Sequence, residues 1–474
     1  MRRGRALALL ALALGAGAIL RFYRLDALEM SADEGASWAA AAAPSLGAVL
    51  HAQVALNPGK AGLHDVTLHL WMRAFGDGLC AMRALSATAG VIAILLMFAF
   101  TRELLAPTAD NESAGAFADA DRDLAAALAA ALFAVNLVTV KYAREARMYP
   151  LEIAALLAMA VCLMRAMNRG GAANYAGVAI FAALALAAHL TALAALGAMA
   201  LWLAYVMIRD RREWGVAKAP ARRALFNLIA IAAGAALLAP LAPAVVGAAA
   251  HAEEIGAIGW ISRPAWWAPF ALFNKATGTF AFPLYAALAG WGVVHGWRRG
   301  RERTLFALLW MWAPPIAALA ASYAMRPLFV ERYLVTVFVP FLILAALGIV
   351  AIPRPFARAA AIALAVGLAL GHVAAWSRKP HDAQWREAAE TALARTGADG
   401  AIVVAPGYAA NVVRYYLRDR PGGARVLAAP PAIAEGARVA IVGEQGAAPA
   451  TVAAMRARYP RIVARVRGVV VRER

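Results

Sequence analysis

The stretch ERYLVTVFVPFLILAALGIVAI, residues 331–352, decides the fold: beyond Glu331 and Arg332, no charged residue appears from Leu334 to Ile352. At about 1.5 Å per helical residue such a run spans a hydrocarbon core of roughly 30 Å. The same ruler, carried outward along the chain, marks spans near 6–22, 84–104, 124–140, 150–168, 174–189, 191–208, 225–247, 280–297, 304–322, 334–352 and 357–376, about eleven in all. Over its 474 residues the chain is 63% hydrophobic and only 16% charged, which excludes an ordinary soluble domain. The expected fold class is an α-helical integral membrane protein.

Lys and Arg number 47 against 28 Asp and Glu, a net charge of +19. Basic residues gather before the first span (Arg2, Arg3, Arg5) and in the loops at Arg209–Arg223, Arg298–Arg303 and Arg354–Arg358. With eleven spans these clusters share one side, which makes it cytoplasmic and leaves the C-terminus outside. The expected location is the cytoplasmic (inner) membrane, with the first span an uncleaved anchor despite its signal-like basic start. No basic patch interleaved with stacking aromatics is present, so nucleic acid is excluded. Cys80 and Cys162 have no metal-ligand spacing, and neither a disulfide nor a thiolate metal site is expected.

Residues 1–376 are expected to form a polytopic membrane domain. Residues 377–474 carry 16 basic and 8 acidic side chains and no spanning run. Strand-like Gly400–Ala405, helix-like Ala409–Arg418, short apolar runs at Arg425–Ala428 and Arg438–Val442, helix-like Pro449–Arg458 and a strand over Ile462–Val471 predict a small extracytoplasmic α/β domain.

Two outward loops are long, Phe22–Arg83 and Ala248–Thr279. Amphipathic stretches at Ser37–Leu50 and Asp65–Phe75 predict interfacial helices, and Trp260, Trp266, Trp267 and Phe270 suit anchoring at headgroup depth. The first loop opens with Asp33 and Glu34. An acid at the edge of a membrane cavity is partly desolvated, which raises its pKa and suits it to take a proton from a hydroxyl. The same side carries cations that the positive-inside rule would not place there: Lys60, Lys141, Arg144, Arg147, Arg326 and Arg332. They suit a leaving phosphate. The blander reading is ion pairing, Glu145 with Arg144 or Arg147 and Glu331 with Arg332, together with lipid contact. His64 and Asp65 read as interfacial rather than as metal ligands.

In order, Asp33-Glu34, the segment Leu68–Ser86, the Tyr142–Tyr149 run, Glu331-Arg332-Tyr333 ahead of a Pro340-containing span, and Asp382–Ala388 with Trp385 and Arg386 resemble the polytopic C-type glycosyltransferases that use polyprenyl-phosphate sugars, including the protein O-mannosyltransferases and the lipid A aminoarabinose transferases. The resemblance covers most of the chain. It implies inverting transfer of a sugar from a polyprenyl-phosphate donor to a lipid, glycan or protein acceptor at the outer face. It further implies Asp33 as the base, Glu34 as an orienting or binding partner, Lys60, Arg144, Arg147 and Arg332 as holders of the donor phosphate, and Glu145 and Tyr149 as supports. Many relatives have a Pro-Pro pair where this chain reads Lys60-Ala61-Gly62-Leu63, a departure that bears on Lys60. No Gly-rich phosphate loop is evident and no metal ligand set is assigned; a divalent metal in place of some of the cations stays open. A transporter or flippase of lipid-linked sugars is the alternative, and predicts ionisable residues within spans and internal repeats. A non-catalytic assembly protein is a third reading.

Overall fold

The protein is described by a computed structural model over residues 2–56, 59–107, 117–210, 219–254, 261–378, 384–396, 400–420, 425–429, 437–443 and 447–474; Trp260, Asp382, Arg211, Arg212 and Lys218 fall outside these. The helices are α1 (Arg2–Phe22), α2 (Ala32–Ala41), α3 (Leu46–Leu56), α4 (Leu63–Phe75), α5 (Leu79–Leu104), α6 (Asp119–Val135), α7 (Leu137–Ala143), α8 (Tyr149–Arg169), α9 (Ala172–Ala188), α10 (Ala192–Asp210), α11 (Ala219–Ala236), α12 (Ala242–Glu254), α13 (Ala268–Thr277), α14 (Phe282–Ala324), α15 (Phe338–Val350), α16 (Pro355–Arg378), α17 (Trp385–Thr396), α18 (Ala410–Leu417) and α19 (Pro449–Arg458). They fall into two units. The first comprises Met1–Tyr23, Gly59–His64 and Ala84–Arg378; the second comprises Arg24–Pro58, Asp65–Arg83 and Lys379–Arg474. The second unit therefore adds to the C-terminal segment two stretches of the first long loop, which sequence alone assigned to the membrane portion.

In the first unit, eight helices are long and apolar enough to cross a membrane among the described residues, or nine if α6 and α7, bent by 57°, count as one span. The difference from the expected eleven lies in two places. Residues 280–297 and 304–322 are counted once because α14 runs through both, although the non-helical Gly300 divides it into two arms that match the two predicted spans, and α9 has only 17 residues. The run after Glu331 begins as a 3-10 helix and becomes α15, every residue of which is buried. A helix apolar all round belongs in the interior, and α15 sits there beside α14 and α6. Its Gly348 faces Gly292 of α14 so closely that a Cβ at Gly292 would lie 1.8 Å from the Leu344 carbonyl oxygen. Small residues allow such backbone approach in the absence of a hydrophobic drive between helices. At the α6/α7 bend, Asn136 caps α7 by accepting from the Val138 N–H at 3.0 Å. The fully buried Arg21 donates to the Ala134 carbonyl at 2.8 Å, satisfying an acceptor in the last turn of α6.

The second unit holds a five-stranded sheet of β1 (Ala401–Ala405), β2 (Arg425–Ala428), β3 (Val439–Gly443), β4 (Arg461–Val466) and β5 (Val469–Glu473), in the order β2-β1-β3-β5-β4. β2, β1 and β3 are parallel and the β4–β5 edge is antiparallel. The central β3 is buried along its whole length and β1 nearly so, as parallel strands covered on both faces require. Met455 of α19 and Tyr459 just beyond it pack with Val403, Ala405, Ala440 and Val442, while α17 packs on β3 and β5. The single strand expected over Ile462–Val471 is instead a hairpin, because Gly468 takes φ +69° and reverses the chain. The predicted interfacial stretches of the first loop are helical in α2, α3 and α4.

Candidate active site

The second unit carries the acid pair. Ser31 opens α2: its hydroxyl accepts from the Glu34 N–H (3.2 Å), and Glu34 Oε2 accepts in return from the Ser31 N–H (2.9 Å). This reciprocal cap fixes both the start of the helix and the Glu34 side chain. Arg83 then grips Glu34 with two parallel bonds, Nε to Oε1 at 2.7 Å and Nη2 to Oε2 at 2.8 Å. The same guanidinium donates to the carbonyls of Leu25, Leu28 and Glu29 at 2.6–2.9 Å, so one buried cation ties the loop preceding α2 to the helix. Glu34 and Arg83 are 1% and 2% exposed. The arrangement makes Glu34 an anchor. Asp33, one residue earlier and half-buried, lies in the first turn of α2; burial, and after it the charge of Asp33, raises the pKa of the Tyr408 phenol.

α2 lies on α18 of the C-terminal segment. A Cβ at Gly35 would fall 2.8 Å from Val412 Cγ2, and Trp38 packs edge-on against Tyr415 at 5.3 Å. Tyr416 Oη accepts from the Met30 N–H at 2.8 Å, and burial pushes that phenol up to about 12. Arg418 stacks on Tyr415 and pairs with Asp77 at 2.9 Å. Tyr415 and Tyr416 are therefore packing residues that hold the acid-bearing helix.

The first unit carries the cations. His189, between α9 and α10, is buried, and burial with the charges of Arg147, Lys60 and Arg332 lowers its imidazole to about 3. A neutral ring stands among three of the predicted phosphate holders. The Thr191 N–H points at His189 Nδ1 (3.2 Å). The Thr191 hydroxyl lies 2.6 Å from Nδ1 and donates to Glu152 Oε1 at 2.8 Å. Tyr149 and Tyr333 flank the imidazole at 5.9 and 5.2 Å, with the Arg147 and Arg332 guanidinium groups over their rings. Gly59, at φ +101°, presents its carbonyl to the Leu190 N–H at 2.9 Å and so holds the buried Lys60 at this turn.

Other predicted residues have different places. Arg144 donates to the Leu20 and Tyr23 carbonyls (2.9 and 2.7 Å) at the end of α1. The Glu145 carbonyl accepts from the Arg147 N–H at 2.7 Å. Glu331 pairs with Lys275. Sequence reasoning missed Arg83, Glu152 and the role of His189. The signal for the Glu34 anchor was present as Ser-x-x-Glu at residues 31–34; Glu152 and Thr191 are 39 apart and only packing joins them. Among the described residues, no three His, Cys, Asp or Glu side chains gather as metal ligands would.

No family model matches the sequence, and neither does any curated protein. Solved structures do match. The crystal structure of ArnT from Cupriavidus metallidurans in the apo state agrees with a TM-score of 0.61 at 14% identity, over 99% of this chain and 97% of that one. The chain has the ArnT fold. The structure of the same transferase bound to undecaprenyl phosphate gives a TM-score of 0.58 at 15% identity, over 99% and 98% of the two chains. The Archaeoglobus fulgidus oligosaccharyltransferase AglB, in complex with an inhibitory peptide and a dolichol-phosphate, gives 0.56 at 12% identity, over 93% of this chain and 69% of that one. These neighbours are C-type polyprenyl-phosphate sugar transferases, the group that the sequence motifs resemble.

Proposed function

We propose that the protein is an inverting glycosyltransferase that moves a sugar from a polyprenyl-phosphate donor to an acceptor hydroxyl at the outer face of the cytoplasmic membrane. The observation that carries this reading is the gathering of Lys60, Arg147 and Arg332 around the neutral His189. Cations gathered at one place within a membrane protein suit an anionic ligand, and a lipid-linked phosphate is one. The ArnT fold and the undecaprenyl phosphate bound to that neighbour support it. In the reaction the acceptor oxygen attacks the anomeric carbon from the face opposite the phosphate. The carbon–oxygen bond to phosphate breaks, polyprenyl phosphate leaves, and the acceptor proton passes to Asp33. Lys60, Arg147 and Arg332 stabilise the charge that grows on the leaving phosphate, with Tyr149 shaping their surroundings. Glu34 and Arg83 position α2, and residues 377–474, outside the membrane, hold that helix.

The test is transfer of radiolabelled sugar from a panel of polyprenyl-phosphate sugars by purified protein in lipid. Wild type yields labelled product or hydrolysed donor, and Asp33→Asn loses at least about 100-fold in rate, the usual contribution of a general base. Equal turnover by both proteins removes Asp33 from the chemistry. Movement of lipid-linked sugar across vesicles without any transfer replaces the reading with a transporter.

A further inference from the structure

At the other end of α10 from His189, about 28 Å away along its 19 residues, lies a second basic feature. A cavity of about 220 Å³ is lined by Arg209, Arg299, Arg301, Glu302 and Arg303 together with the apolar Leu104, Leu344 and Leu347. It sits where α14 breaks at Gly300, so the second arm of that helix begins there and aims its first N–H groups toward the break. Arg209 is neutralised by Asp210 and Glu302, both at 2.7 Å. Arg299, Arg301 and Arg303 form no ion pair among the described residues. Arg299 is held over the Phe117 ring at 5.5 Å and Arg301 over Trp297 at 4.9 Å. Arg303, 8% exposed, is oriented by Asn168 at 2.6 Å, and its buried Nε has no hydrogen-bond partner among the described residues.

Three guanidinium groups without an ion pair and an orphaned N–H among the described residues, with Glu302 and Glu103 acting on Arg303 only at longer range and Glu302 already bound to Arg209, suit an anion. The apolar wall at the ends of α5 and α15 calls for a chain attached to it. We propose that this cavity binds a phosphate group, carried by an anionic phospholipid of the leaflet that faces the basic loops. The volume admits the phosphate with several waters at about 30 Å³ each. A lipid held here clamps the two arms of α14 to α5 and α15, remote from the cation cluster around His189.

The test is thermal stability of the purified full-length protein in neutral detergent, titrated with dioleoylphosphatidylglycerol, dioleoylphosphatidylcholine or inorganic phosphate. The anionic lipid raises the unfolding midpoint saturably, and the R299A/R301A variant weakens that response by about tenfold or more, the loss expected on removing paired charge-assisted contacts. Arg298→Ala, outside the cavity lining, leaves it unchanged. Should the double alanine variant not fold, R299K/R301K, which keeps the charge and loses the fork, shows the weakened response. A saturable shift with inorganic phosphate that the same variants lose keeps the site and assigns it to a soluble anion. A wild-type response to the anionic lipid in folded variants overturns the proposal.

Discussion

Arg83 shows how a single buried charge can organise a loop. It satisfies a carboxylate and three carbonyls at once, so removing it strands all of them. Breaking a buried pair from one side costs about 3–5 kcal/mol. Arg83→Met is therefore expected to lower the unfolding free energy by that amount, whereas Arg418→Met, which breaks the more exposed pair with Asp77, costs under about 1 kcal/mol for the ionic contact. Chemical unfolding in micelles compares the two. His189 makes a prediction of opposite character. Its pKa falls from 6.5 to about 3 on folding, so between those values the unfolded chain takes up a proton that the folded chain refuses. Stability falls as pH drops through that window and is unaffected by this group above it. His189→Gln flattens the fall, and unfolding midpoints measured across the window show it; an unchanged slope means that the ring accepts its proton in place.

Helix contacts in the membrane unit depend on what is missing from them. The Gly292–Gly348 crossing leaves no room for a methyl group on either side, since a Cβ at either position would lie under 2 Å from a carbonyl oxygen of the other helix. Gly292→Ala must push α14 and α15 apart and is expected to cost about 1–3 kcal/mol or more. Gly197→Ala in α10 meets nothing within 4 Å and gains about 0.5–1 kcal/mol from helix propensity. Thermal midpoints of the two variants should move in opposite directions. Elements such as these were legible where their periodicity was unbroken. The apolar run after Arg332 and the short β-branched run at residues 402–404 declare themselves because length and composition suffice. The β4–β5 hairpin did not, because Ile462 to Val471, Val-rich with Arg465 and Arg467 between, reads as one strand unless Gly468 is known to take a positive φ. Helix α17 went unmarked although its buried Trp385, Ala388, Ala389 and Ala392 keep a helical spacing, because three of those four are Ala, a residue found throughout the chain.

The two units differ in how far the chain must travel to complete them. The candidate site was readable where it consists of charges stranded among apolar residues, as with Asp33, Lys60, Arg147 and Arg332. It was unreadable where it consists of partners that only the fold introduces, as with Glu152 and Thr191, or Glu34 and Arg83. The second unit takes this separation furthest: the Met30 N–H and the Tyr416 hydroxyl are 386 residues apart in sequence. During synthesis α2 emerges early, yet α18, on which Gly35 and Trp38 pack, follows roughly 300 residues after Arg83, which at about 5–20 residues per second is about 15–60 s of elongation. Over that interval the helix bearing Asp33 has α3 and the Arg83 clamp but not α18. The packing around Asp33 is thus completed only when the ribosome has almost finished, and a chain cut short before residue 410 carries the membrane helices without the α18 face on which α2 lies.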